Sequence, residues 1–99
     1  MSRAIFYTPE AKETLRAVYW FIEGKFGKRS ADKFVLKAEK TISLIATHPL
    51  MFKASPLGEN VRVGFISKQT SLFYLVTDTS IDLLFFWDNR QEPMFEPEV

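Results

Sequence analysis

The chain has 99 residues, of which 46% are hydrophobic and 15% aromatic, so it can bury one core and is too short for a second. Cysteine is absent, which excludes disulfide frameworks and thiolate metal sites. A formal net charge of +1 excludes binding to nucleic acid through overall charge alone. We therefore expect one domain over residues 1–99 that folds without metals or disulfides.

No secretory or membrane segment is predicted. The opening MSRAIFYTPE lacks the apolar core of a signal peptide. The longest apolar run, Leu83 to Trp87, is far below the ~20 residues that cross a bilayer. We therefore expect a cytoplasmic protein with no membrane partner.

Charge is distributed unevenly along the chain. Seven basic residues lie between Lys25 and Lys53 against Asp32 and Glu39, whereas the last eight residues contain three acids and no base. The sequence therefore predicts one basic region and an acidic tail.

A strand and a long helix are predicted first. RAIFYT (3–8) is rich in β-forming residues, and Thr8-Pro9-Glu10 supplies the N-cap, first-turn proline and early acid of a helix start. Apolar residues then recur at helical spacing from Ala11 to Phe26. We expect the first helix from about Pro9 to about Phe26, with Gly27 just beyond it.

A second helix follows after a short turn. Ser30 can cap it, and an apolar pattern at helical spacing continues from Ala31 until His48-Pro49 makes further helix unfavourable. Two helices joined by so few residues must lie antiparallel, as a hairpin.

Three β-rich runs come after the loop-like segment KASPLGEN (53–60). They are VRVGFIS (61–67), SLFYLVT (71–77) and IDLLFFW (81–87), with gaps short enough to force antiparallel neighbours. The order β-α-α-β-β-β predicts an α+β fold, a helical hairpin packed on a small antiparallel sheet. Because the later strands are apolar on both faces, we expect the hairpin on one face and a second cover, or a partner, on the other.

The titratable residues match no metal site or catalytic triad. With one His and no Cys, the available ligands are carboxylates without a known spacing: Glu10, Glu13, Asp78, Asp82 and Asp88. His48, at a predicted helix C-terminus, most simply complements the helix dipole. We expect no metal and no cofactor.

Basic and aromatic residues on the strands and loops form the remaining candidate site: Lys53, Arg62, Lys68, Trp87 and Arg90. Such groups hold phosphates and stack on bases. The alternative is a solvated surface around one core aromatic, which is the simpler explanation for Lys53 and Lys68 taken singly. The last strand, LLFFWDNRQEP, ends in Trp87, Asn89 and Arg90, and strand ends carry function more often than strand middles. The alternative is that Asp88 and Arg90 only pair with each other, which stabilises by about 0 to 1 kcal/mol.

The whole chain resembles the RelE/ParE superfamily of bacterial type II toxins. The resemblance rests on the order of four segments: YTPEAKETL, ATHPLMF, VRVGFISKQTSLFYLVTD and IDLLFFWDNRQEP. It implies the toxin of a plasmid-stabilising toxin-antitoxin module. RelE-like members cut messenger RNA on the ribosome without a metal, and ParE-like members poison DNA gyrase.

The resemblance favours the gyrase-directed class. Arg62 and Arg90 match basic positions of RelE-like nucleases and would be the catalytic residues of such an enzyme. Ser71, however, stands where several nucleases have Arg, and the tail offers Phe95 but no Tyr or His. Losing a general acid or base removes about 10² to 10⁴ in rate. We therefore expect a toxin that binds gyrase through Lys53, Lys68, Trp87, Asn89 and Arg90, with a ribosome-dependent nuclease or a non-toxic antitoxin-binding relative as alternatives.

The resemblance also implies a cognate antitoxin whose C-terminal segment wraps the toxin. Tyr19, Trp20 and Phe21 lie in the first predicted helix and are candidates for that contact surface. The alternative is that they pack in the core, because so small a protein has few other places to bury aromatics.

Overall fold

The computed structural model describes residues 2–89. Two helices pack on one five-stranded sheet of order β1-β5-β4-β3-β2. Its elements are β1 (Ala4–Tyr7), α1 (Pro9–Phe26), α2 (Lys28–Thr47), β2 (Lys53–Ala54), β3 (Val61–Phe65), β4 (Thr70–Val76) and β5 (Ser80–Asp88). The predicted α+β fold with a helical hairpin is confirmed.

The sheet differs from the expectation in two details. It is mixed, because β1 runs parallel to β5 while the other pairs are antiparallel. Short gaps constrain only strands that follow each other, whereas β1 reaches β5 across the rest of the chain. The segment predicted as a loop also contains β2, whose Lys53 and Ala54 pair with β3.

Helix α1 has the predicted bounds, and α2 begins earlier than predicted. Thr8 caps α1 by accepting a hydrogen bond from the Ala11 N–H at 3.1 Å. Gly27, at φ 96°, is both the C-cap of α1 and the N-cap of α2. Because glycine adopts this positive φ without strain, the chain reverses at a single residue. The expectation that Ser30 caps α2 is wrong, since Ser30 already lies in its first turn.

The core lies between the hairpin and one face of the sheet. Its buried members alternate along the central strands and recur at helical spacing on α1 and α2: Ala11, Val18, Ile22, Ala31, Phe34, Ala38, Ile42, Ile45, Leu72, Tyr74, Ile81, Leu83 and Phe86. This apolar burial is the main force that holds the hairpin on the sheet. No helix in the described part of the chain is long and apolar enough to span a membrane.

The edge of β5 changes its hydrogen-bonding partner at Leu83. Parallel pairing with β1 ends there, and Leu84 has no partner on β4 because the register shifts at that point. The single Thr8 O–H is shared between the carbonyls of Leu83 and Leu84, whose oxygens lie 2.7 Å and 3.0 Å from Thr8 Oγ1. The Thr14 hydroxyl accepts the Phe86 N–H at 2.8 Å. Thr8, the N-cap of α1, and Thr14 within α1 thus satisfy the strand edge that β1 leaves unpaired.

The sheet face opposite the helices, called the open face below, carries an apolar row. Cross-strand partners share a face, so Val63, Phe73 and Phe85 lie side by side. The rings of Phe73 and Phe85 stack at 4.6 Å between centroids. Within residues 2–89 neither helix lies on this face, yet Phe73 at its centre is only 3% exposed, whereas Phe6 and Phe65 at its margins are exposed.

Replacing Thr14 by Val should lower the free energy of unfolding by about 1–3 kcal/mol, because the Phe86 N–H loses its acceptor in a buried position. Thr14→Ser should retain most of the stability, because the serine hydroxyl can still accept the Phe86 N–H. Thr41→Val is the matched control, since the half-buried Thr41 hydroxyl only donates to Lys37 O within its own helix. Urea denaturation measures all three, and equal losses at Thr14 and Thr41 would contradict the role given to Thr14.

Candidate functional site

The far end of β5 brings together three of the predicted target-binding residues. Thr70 lies opposite Asp88, so the turn after β3, with exposed Lys68 at its tip, adjoins the end of β5. The Asn89 N–H donates to the Gln69 carbonyl, and Asn89 Nδ2 donates to Ser71 Oγ at 2.9 Å. We call Lys68, Trp87 and Asn89 the strand exit. Arg90, also predicted there, lies outside the described residues.

Lys53 lies elsewhere on the same sheet. It is exposed on β2 and belongs to the row that continues through Val63 and Phe73 to Phe85. Three strand spacings place its backbone about 14 Å from β5. Lys53 therefore lies at the edge of the open face rather than at the strand exit.

Trp87 is half-buried on the open face, where it lies across from Ser71 on β4. It also borders a cavity of about 110 Å³ between β5 and α1, together with Thr14, Val18 and Phe21. The indole nitrogen is buried and has no hydrogen-bond partner within residues 2–89. Only part of the ring is thus available to a target.

The Arg62 side chain lies on the helix face of the sheet and is hydrogen-bonded within the fold. Its neighbour across the strands is the core residue Tyr74, and its Nη1 donates to the Phe52 carbonyl at 2.6 Å. The Tyr74 hydroxyl donates to the Pro49 carbonyl at 3.0 Å, and burial raises the pKa of Tyr74 despite the opposing charge of Arg62. Both side chains hold the loop between α2 and β2 onto the sheet.

Arg62 is also remote from the strand exit. Its partner Tyr74 pairs with Leu83, and Asp88 lies five residues further along β5, which is about 16 Å along the strand. Ser71, where the resembling nucleases carry Arg, accepts the hydrogen bond from Asn89 instead. Arg62 and the strand exit therefore do not form one cluster.

Two of the three aromatics predicted to contact an antitoxin line one groove on the helical hairpin. Tyr19 and Trp20 pack edge to face at 5.6 Å, and Trp20 is 58% exposed. Phe21 lies on the other side of α1, beside Trp87, because consecutive helical residues are about 100° apart. The groove has a volume of about 470 Å³ and is lined by Tyr7, Lys12, Leu15, Arg16, Tyr19, Trp20, Val35 and Glu39.

This hairpin groove joins an apolar floor to a mainly basic rim. Lys12 and Arg16 stand one turn apart, while Glu39 is its one lining acid among the described residues. The Tyr19 hydroxyl donates to Asp32 Oδ1 at 2.8 Å, and bonds from Lys28 and then Tyr19 lower the pKa of Asp32. This network fixes the Tyr19 ring, which leaves a preformed surface suited to an amphipathic segment with acidic residues.

Sequence reasoning missed Tyr7, Leu15 and Val35 as parts of this groove. Leu15 and Tyr19 are spaced i, i+4, as are Lys12 and Arg16, so a basic pair beside an apolar pair was a detectable signal. The contributions of Tyr7 and Val35 depend on the packing of β1 and α2 and have no local signature.

The family described as the ParE toxin of type II toxin-antitoxin system, parDE, matches residues 5–93. A search among curated proteins gave no match.

Solved structures with the same fold include three toxin-antitoxin systems. The chromosomal ParDE system from P. aeruginosa superimposes with a TM-score of 0.74 at 18% identity, covering 88% of this chain and 96% of the other. The E. coli DinJ-YafQ toxin-antitoxin complex gives 0.66 at 11%, covering 93% and 98%. The RelBE2 toxin-antitoxin complex from Mycobacterium tuberculosis gives 0.61 at 17%, covering 89% and 99%. At these identities the likeness establishes the fold alone.

Gly64 should not tolerate a side chain, because an added Cβ would lie 2.5 Å from the Phe52 ring. We expect Gly64→Ala to destabilise the protein by about 1–3 kcal/mol as Phe52 is displaced. Gly24→Ala is the control: a Cβ there meets nothing within 4 Å in α1, and it should stabilise by about 1 kcal/mol. Thermal unfolding measures both, and a neutral Gly64→Ala would disprove the close packing of Phe52.

Proposed function

Because this chain belongs to the ParE toxins of type II toxin-antitoxin systems, we propose that it arrests growth by binding and poisoning DNA gyrase. A cognate antitoxin neutralises it, in a module that stabilises the plasmid or chromosomal segment encoding it. Gyrase acts on DNA in the bacterial cytoplasm, so the toxin acts there too. The observation that carries the proposal is the family match over residues 5–93.

The environment of Arg62 supports an action without RNA cleavage. Its guanidinium is bonded to the Phe52 carbonyl under the loop between α2 and β2, where it holds structure rather than a scissile phosphate. Ser71 provides a hydroxyl where an Arg would stabilise developing charge. A ribosome-dependent endoribonuclease, with Arg62 and Arg90 as catalytic residues, is the alternative, and the fold shared with YafQ and RelBE2 complexes does not favour it over gyrase binding.

The strand exit is the proposed gyrase contact. Lys68 is exposed beside Asn89, whose side chain is oriented by Ser71, and Arg90 follows directly in the sequence. Charged groups at such a rim steer association with an oppositely charged partner. Lys53 contributes a second, more distant cation at the edge of the open face.

The hairpin groove is the proposed antitoxin site. A helix of the antitoxin would place apolar residues on Leu15, Tyr19 and Trp20 and acidic residues beside Lys12 and Arg16. Trp20 is the expected anchor, because exposed tryptophans that become buried dominate interface energies. Phe21 belongs to the packing between α1 and β5.

Purified protein should inhibit supercoiling by gyrase and should leave messages intact in a ribosome-dependent translation reaction. Lys68→Glu should weaken gyrase inhibition about tenfold or more, because a close cation becomes an anion. Lys40→Glu is the control, since Lys40 is exposed on α2 away from the strand exit.

Messages cut at codon positions, with the cuts lost in the Arg62→Lys variant, would contradict the gyrase proposal. They would identify the protein as a ribosome-dependent endoribonuclease. Growth that continues during expression without antitoxin would identify a non-toxic antitoxin-binding relative.

Trp20→Ala should weaken antitoxin binding about tenfold to a hundredfold and leave stability nearly unchanged, because the side chain is largely exposed in the free toxin. Phe26→Ala is the matched control, an aromatic on the same helix that is 60% exposed and lies outside the groove. Calorimetric titration with the antitoxin measures both. Equal affinities of the two variants would place the antitoxin elsewhere.

A further inference from the structure

A second cavity lies where the end of the helical hairpin meets the turn between β3 and β4. It has a volume of about 440 Å³, and we call it the hairpin-end cavity. Its apolar lining comes from Ile22, Phe26 and Phe34, and its polar lining from Ser30, Lys33, Lys37, Ser67, Gln69 and Thr70. No acidic side chain of the described residues lines it. It shares no lining residue with the hairpin groove.

The cavity has two cations at its rim. Lys33 and Lys37 are exposed one turn apart on α2, and neither forms an ion pair within residues 2–89, where Lys28 and Asp32 do. Like charges at this spacing repel each other. An anion placed between them removes that repulsion and gains two charge-assisted hydrogen bonds.

Hydroxyl groups lie on the opposite side of the cavity, on Ser67 in the β3–β4 turn and on Thr70 at the start of β4. Thr70 is 1% exposed, yet its Oγ1 has no hydrogen-bond partner among the described residues. A buried hydroxyl without a partner costs free energy that a ligand oxygen restores. Ser67 Oγ accepts the Gln69 N–H at 3.3 Å, which leaves its own O–H free to donate.

The N-terminus of α2 adds to the positive potential. Gly27 provides no side-chain cap and the first turn contains no acid, so the positive end of the helix dipole is not neutralised near Ser30. Asp88 lies across the strands from Thr70. It lines the neighbouring cavity beside Trp87 and already has an interaction of its own.

We propose that the hairpin-end cavity binds a phosphate monoester or inorganic phosphate dianion. Lys33 and Lys37 supply the charge, and the hydroxyls of Thr70 and Ser67 supply neutral donors. The volume exceeds what one phosphate needs, and the apolar side chains of Ile22 and Phe26 suit a planar base. The ligand is therefore free phosphate or a nucleoside monophosphate. This site shares no lining residue with the hairpin groove, and it shares the β3–β4 turn with the strand exit.

The test is a titration of the full chain, followed by ¹H–¹⁵N NMR at constant ionic strength, with inorganic phosphate and separately with adenosine 5′-monophosphate. Saturable shifts are expected at the amides of residues 28–31 and 66–70. Tighter binding of the nucleotide identifies a nucleotide site, and equal affinities identify a phosphate site.

Two variants and one control decide the outcome. The double substitution Lys33→Gln with Lys37→Gln should weaken binding about tenfold or more. Thr70→Val should also weaken it while leaving the fold as stable or more so, because an unpartnered hydroxyl is removed. Lys12→Gln with Lys53→Gln removes the same charge far from the cavity and should bind as the parent does. Absence of saturable shifts, or equal weakening in the control, would overturn the proposal.

Discussion

The edge of β5 is the constraint on which the rest of the structure depends. A strand interior to a sheet needs partners on both sides. Strand β1 is only four residues long, and its pairing with β5 ends at Leu83. Thr8 and Thr14 complete the edge from α1. The same threonines fix where α1 begins and how it lies on the sheet. One set of hydrogen bonds therefore links the cap of α1, the irregularity at Leu84 and the packing of the hairpin on the sheet.

This docking determines which surfaces remain for partners. The helix face is closed by the core and by the loop that Arg62 and Tyr74 hold, so Arg62 is withdrawn from the open face. Within residues 2–89 the surfaces left are the open face, the hairpin groove, the strand exit and the hairpin-end cavity. The groove combines apolar floor and basic rim, whereas the strand exit is polar, and this difference in chemistry supports assigning antitoxin and gyrase to separate surfaces.

Local sequence signals predicted both helices and the longer strands. Features that depend on contacts between distant parts of the chain could not be predicted. Thr8-Pro9 gave the start of α1 correctly, while Ser30 misled because Gly27 reverses the chain alone. The parallel pairing of β1 had no local signal. The register that pairs Arg62 with Tyr74 and the packed loop that gives Arg62 its partner Phe52 are non-local and had no signal in the sequence. Likewise, helical periodicity separates Phe21 from Tyr19, yet the groove itself required α2 and β1 in place.

We propose that this toxin acts on gyrase without cutting RNA. The most direct measurement is the recovery of gyrase subunits covalently bound to DNA from cells in which the toxin is induced, compared with cells that also express the antitoxin. Such complexes should accumulate with the toxin alone and disappear with the antitoxin. Growth arrest without covalent complexes, accompanied by messages cut at codon boundaries, would contradict it.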